Sequence, residues 1–107
     1  MTPVRFAAER YYGRLDPGVL EELTRLELAG ARGPYECQRV AAVLAVKRAA
    51  LRLCPDWAPA DLEILRRPNA APVLRVAGQV VGVQVSLAHA GGLAVAAVRW
   101  RGDREPA

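Results

Sequence analysis

One segment constrains this chain more than any other: YECQRVAAVLAVKRAALRL, from about Tyr35 to Leu53. Apolar residues run nearly all the way round it, at Val40, Val43, Leu44, Val46, Leu51 and Leu53, with alanines between. A helix with that pattern is central and covered on most sides. Cys54-Pro55 stops it, because the residue before a proline disfavours the α region.

The flanking segments follow simpler rules. Asp16-Pro17 offers an N-cap and a proline for the first helical position, predicting an earlier helix from there. Val19, Leu20, Leu23 and Leu26 fall at helical spacing, with Glu21, Glu22 and Arg25 on the other side. Gly30 and Gly33-Pro34 end it. Residues 5–13 fit either a short helix or irregular structure. Beyond Pro55 the period changes. Asp61–Arg66, Pro72–Ala77, Val80–Leu87 and Leu93–Trp100 read as strands. Pro68-Asn69 and Gly78 mark turns, and His89-Ala90-Gly91-Gly92 a break. Helices followed by closely connected strands predict an α+β fold, with the long central helix packed across an antiparallel sheet. The 107 residues make one domain, with residues 101–107 as a frayed polar tail.

Composition narrows the class. A hydrophobic share of 52% with 24% charged residues excludes disorder over the whole chain. No apolar run reaches the ~20 residues a membrane helix needs. Met1–Arg10 lacks the basic-then-apolar order of a signal peptide, so a cytoplasmic protein is expected. The size is near the low end for a self-sufficient core, which favours an oligomer.

Net charge is +4, and Lys47 is the one lysine among 15 basic residues. Codon bias accounts for this, as does an anionic partner. Nucleic acid is the weakest such partner, because no recognition motif is present and exposed aromatics do not interleave the basic residues. Cys37 and Cys54, at opposite ends of the long helix, would lie ~25 Å apart, too far for a disulfide. One histidine and two separated cysteines are too few for a zinc site.

Four basic residues stand on the long helix: Arg39, Lys47, Arg48 and Arg52. Lys47 has Val43, Leu44, Ala50 and Leu51 one turn away, so its ammonium must snorkel outward or find a partner. Arg48 and Arg52 are one turn apart with no acid between them, a mild repulsion that an anion would relieve. His89 follows the strand VQVSLA and precedes two glycines, a place where a side chain can meet a ligand. Ser86 alternates to the same side as Ala88. Glu21, Glu22, Glu27, Asp61 and Glu63 fall on helix and strand surfaces, and no Ser-His-acid or paired-carboxylate site emerges.

The order LTRLELA, QRVAAVLAVKRAALRL, W, DLEILRRPNAAPVLRV, VSLAHAGGLAVAAV resembles the 4′-phosphopantetheinyl transferases, most of all the small holo-acyl-carrier-protein synthase type. The likeness spans roughly Leu23 to Val98. That family moves the phosphopantetheine arm of coenzyme A onto a serine of an acyl or peptidyl carrier protein, with Mg²⁺ on the diphosphate. The resemblance implies that Lys47 is the helix-motif lysine near the diphosphate and a candidate catalytic residue. Arg52 stands for the second motif lysine. Ser86 and His89 match the Ser-x-Ser-His element on the coenzyme A side, with Ala88 at the second serine. Pro72 matches the proline of a Gly-x-Pro turn whose glycine is Ala70 here.

Two departures bear on activity. The metal-binding glutamate after the motif lysine is Arg48, and a guanidinium repels Mg²⁺. The metal-binding aspartate of the family's opening strand has no counterpart in Met1–Ala8, so that strand is either replaced by Thr2–Phe6 or supplied by a neighbour. No metal ligand is therefore assigned. Arg48 is expected at the diphosphate, joining Lys47, Arg52, Ser86 and His89 as coenzyme A contacts. A catalytically impaired transferase-like protein is expected, with a carrier protein and a homo-oligomer (dimer or trimer) or a related chain as partners. The alternative is a non-catalytic scaffold or partner subunit in polyketide or fatty acid synthesis.

Overall fold

The computed structural model describes residues 6–12, 22–31, 36–67, 70–90 and 93–101. Helix α1 is Arg25–Ala31 and helix α2 is Glu36–Leu53. The strands are β1 (Phe6–Tyr12), β2 (Leu62–Arg67), β3 (Ala70–Val76), β4 (Gln79–Val80), β5 (Val83–Ala90) and β6 (Leu93–Trp100). The α+β class holds, and α2 and β6 fall where the sequence pattern puts them.

The strands form two antiparallel three-stranded sheets, β1-β6-β5 and β2-β3-β4, rather than the single sheet expected. The cause is local. Val81 N–H still bonds Leu74 O on β3, and Val83 N–H then turns back onto Val81 O. That three-residue turn ends the short β4 and redirects the chain into the other sheet. The apolar run from Val80 hides this break. β5 therefore starts at Val83 and continues through His89 to Ala90, where a break was expected. Ala90 pairs with Leu93.

The second correction concerns the start of the chain. Residues 6–12 form neither a helix nor irregular structure but strand β1, paired along its length with β6. A first strand is thus part of this chain's own sheet; of Thr2–Phe6, only Phe6 lies among the described residues. The strand carries an acid, Glu9, registered against Ala96.

The third concerns α1. Residues 22–24 precede the helix instead of lying within it. Thr24 is the N-cap: Glu27 N–H donates to Thr24 Oγ1 at 3.2 Å and Thr24 N–H to Glu27 Oε1 at 2.8 Å. This is a reciprocal capping box. The Asp16-Pro17 start and the Gly33-Pro34 stop lie outside the described residues, as do the Pro68-Asn69 turn, Gly91-Gly92 and residues 102–107.

Helix α2 lies on one face of the β1-β6-β5 sheet. Alternate residues of β6, Ala94, Ala96 and Val98, are buried there, as are Ala41, Ala42, Ala45, Ala49 and Ala50 of the helix. Small residues on both surfaces let the helix approach the sheet closely. Leu44, Leu62, Leu74, Val40, Val46 and Val98 fill the core, each contributing roughly 1.5–3 kcal/mol by burial. Cys54 is a buried free thiol just past the helix end.

The β3–β4 hairpin turns on Ala77 and Gly78, with φ of 51° and 83°. Both central residues are left-handed, as a type I′ turn requires, and an alanine there costs roughly 1–2 kcal/mol. Ala77→Asn restores the favoured Asn-Gly pair. It is expected to stabilise the protein by about 1 kcal/mol, a rise of roughly 4–8 °C in the thermal midpoint followed by circular dichroism.

Candidate functional site

The site begins with the pieces that fasten α1 to α2. Glu27, in the first turn of α1, is 4% exposed and Lys47 of α2 is 6% exposed. Their side chains meet at 2.7 Å between Lys47 Nζ and Glu27 Oε1. The other Glu27 oxygen accepts Ile64 N–H of β2 at 2.7 Å. Lys47 also donates to the backbone carbonyl of Glu22 at 2.6 Å. Glu27 is thus no surface acid, and Lys47 does not snorkel. Each satisfies the other where neither charge alone is tolerable.

Next to this buried pair is a looser one. Arg48 Nη2 lies 3.5 Å from Glu22 Oε2. One turn further on, Arg52 Nη1 donates to Ala8 O of β1 at 2.9 Å. The two arginines that repel on the helix therefore reach different anchors. A pocket of about 260 Å³ opens beside them, lined by Glu22, Lys47, Arg48, Leu51, Pro59, Ala60 and Leu62. Arg52 is outside that lining and tethers α2 to the first strand.

Ser86 is elsewhere. Val83 and Val85 are buried towards the helix side, whereas Ser86 is exposed, with the parity of Gln84 and Ala88. Sheet alternation puts it on the face turned away from α2. There it borders a shallow 310 Å³ pocket with Gln84, Ala97, Val98 and Arg99. Arg99 Nε donates to Gln84 Oε1 in this pocket at 2.7 Å. His89 is inside β5, registered against Ala94, and has the opposite parity to Ser86. One chain therefore brings Lys47 and Arg48 together and keeps Ser86 apart from them.

The outward sheet face also holds Leu93 and Val95, the latter 47% exposed. It is an apolar surface that neither of the described helices covers. Among the described residues no helix is long and apolar enough to cross a membrane.

The residues at the α2 pocket do not fit Mg²⁺. No group of three or more His, Cys, Asp and Glu able to hold a metal exists among the described residues. Glu27 directs its oxygens to Thr24, Lys47 and Ile64. Among the described residues Glu22 is the one acid lining the pocket, and it faces a guanidinium. The pocket sets two ion-paired cations, Lys47 and Arg48, beside apolar walls. Sequence spacing missed Glu22 and Glu27. The Thr24-x-x-Glu27 capping box was the signal that could have found Glu27.

No family model matches this sequence, and no curated protein matches it. Solved structures do. Holo-[acyl-carrier-protein] synthase of Helicobacter pylori, in complex with coenzyme A, superposes with a TM-score of 0.69 at 18% identity, over 89% of this chain and 98% of that one. The ACPS–CoA complex of Chronobacterium ammoniagenes superposes with a TM-score of 0.65 at 16% identity, over 92% of this chain and 98% of that one. The chain has the fold of these synthases.

Proposed function

We propose that this protein is a 4′-phosphopantetheinyl transferase-like protein that binds coenzyme A and an acyl or peptidyl carrier protein, with the transfer step impaired. The observation that carries the reading is the α2 pocket, where Arg48 stands beside Lys47; the resemblance implies a metal-binding glutamate at that helix position. A guanidinium there brings a fixed positive charge and can fork onto a diphosphate. It does not hold a metal, so the ligand is bound without the electrostatic help that lowers the transfer barrier. Lys47, fixed by Glu27, supplies field rather than a mobile proton donor. Arg52 holds the helix to β1 at the same end.

Ser86 and His89 belong to the proposal through assembly. The separation of Ser86 from Lys47 by the thickness of the sheet supports a homo-oligomer, or a complex with a related chain, in which one copy's α2 pocket meets another's β5. The exposed Leu93 and Val95 supply an apolar surface for it.

The test is calorimetric titration of coenzyme A with Mg²⁺ and then with EDTA, followed by arm transfer to a carrier protein. Binding is expected to be indifferent to EDTA, with transfer absent or slow. Arg48→Glu is expected to weaken binding in EDTA and to make it respond to Mg²⁺. Absence of binding in both conditions would favour a non-catalytic scaffold or partner subunit of a biosynthetic assembly. Fast Mg²⁺-dependent transfer that Glu9→Gln abolishes would overturn the impairment and make Glu9 the missing acid of the first strand.

A further inference from the structure

The Glu22–Arg48 contact differs in kind from the Glu27–Lys47 pair beside it. The inner pair is buried and hydrogen-bonded at 2.7 Å. The outer pair is 3.5 Å apart, with side chains 48% and 38% exposed. That distance gives an ion pair without a short hydrogen bond. Such half-exposed pairs are weak and exchange readily.

The backbone of Glu22 is nevertheless held firmly. Its carbonyl accepts Lys47 Nζ at 2.6 Å. Leu23 beside it is in the core, and Thr24 after that closes the capping box. The Glu22 carboxylate can leave Arg48 while its main chain stays in place. It also lines the α2 pocket together with both cations.

We propose that Glu22 is a built-in counter-anion, which a diphosphate group displaces from Arg48 without a metal ion. The nature of the ligand rests on the coenzyme A reading above; the displacement does not. A diphosphate carries more charge than one carboxylate, so it wins the exchange at Arg48 Nη2. Until then the Glu22 carboxylate occupies the Nη2 side of Arg48 at the pocket. The same carboxylate then repels the incoming anion, and the two effects together set a threshold for ligand binding.

Glu22→Gln removes the charge and keeps the backbone carbonyl that receives Lys47. Inorganic pyrophosphate and coenzyme A are each titrated into wild type and variant, in EDTA. The variant is expected to bind both about three- to ten-fold more tightly, and Arg48→Gln added to it is expected to abolish the gain. Glu22→Ser provides a second route to the same readout, with thermal unfolding reporting that each variant is folded. Tighter pyrophosphate without coenzyme A binding would keep the counter-anion and discard the coenzyme A reading. Pyrophosphate affinity unchanged or weakened in Glu22→Gln would overturn the proposal even where coenzyme A binds. A gain that survives Arg48→Gln would overturn it too, because the displaced cation would then be another group.

Discussion

Glu27→Ala is expected to lower the unfolding free energy by about 3–5 kcal/mol, measured by urea denaturation at neutral pH. The Glu27 carboxylate is buried and receives three donors: Lys47 Nζ, Thr24 N–H and Ile64 N–H. Its removal leaves an ammonium inside the protein and orphans two backbone N–H groups, each costing roughly 1–3 kcal/mol. Total stability for a domain is about 5–15 kcal/mol, so this one change removes a large part of it. Lys47→Met is expected to cost less, because the carboxylate keeps its two backbone donors. Many buried ion pairs are replaced by apolar residues without loss. Here the double variant Glu27→Leu, Lys47→Met is expected to stay below wild type, because Thr24 and Ile64 still lack an acceptor. A double variant as stable as wild type would mean that those two N–H groups find other partners.

The fate of this pair also shows how far a sequence carries. The α2 helix is legible because its signal is local: apolar residues all round, then Cys54-Pro55. Strand β6 is legible because Leu93–Trp100 lies between paired glycines and a polar end. Strand β1 has no such signal. Its residues, FAAERYY, include two alanines and a glutamate, which are poor strand formers. Pairing with β6, far along the chain, imposes the strand.

The site divides the same way. Helical spacing shows that Lys47 needs a partner, but the partner, Glu27, lies well beyond one turn and is brought close by α1 packing. The capping box was visible, yet Asp16-Pro17 offered a competing start in the same stretch. The parity of Ser86 against His89 was available from the strand pattern once β5 was known to run through His89. The charge reversal at Arg48 is read from one position. Its partner Glu22 needs the turn that precedes α1.

Leu74→Ala is expected to cost about 3–5 kcal/mol, and Leu44→Ala about 2–4 kcal/mol, both by urea denaturation. The two leucines are fully buried, so the lost transfer free energy is the same. The difference comes from what surrounds each backbone. Leu44 is inside α2, where alanine is the best helix former and returns a few tenths of a kcal/mol. Leu74 is in β3, the central strand of its sheet, where alanine is disfavoured on a scale that spans about 1 kcal/mol. Leu74 also stands opposite buried Ile64, and its carbonyl accepts Val81 N–H at the turn between the two sheets. A cavity there loosens β2, whose Ile64 N–H fixes Glu27 and through it Lys47. Leu74→Ala is therefore expected to weaken ligand binding at the α2 pocket as well as stability. Leu44→Ala leaves those polar contacts in place and is expected to change stability alone. The reverse order, with Leu44→Ala the costlier, would mean that collapse of the helix–sheet packing outweighs strand propensity in this core.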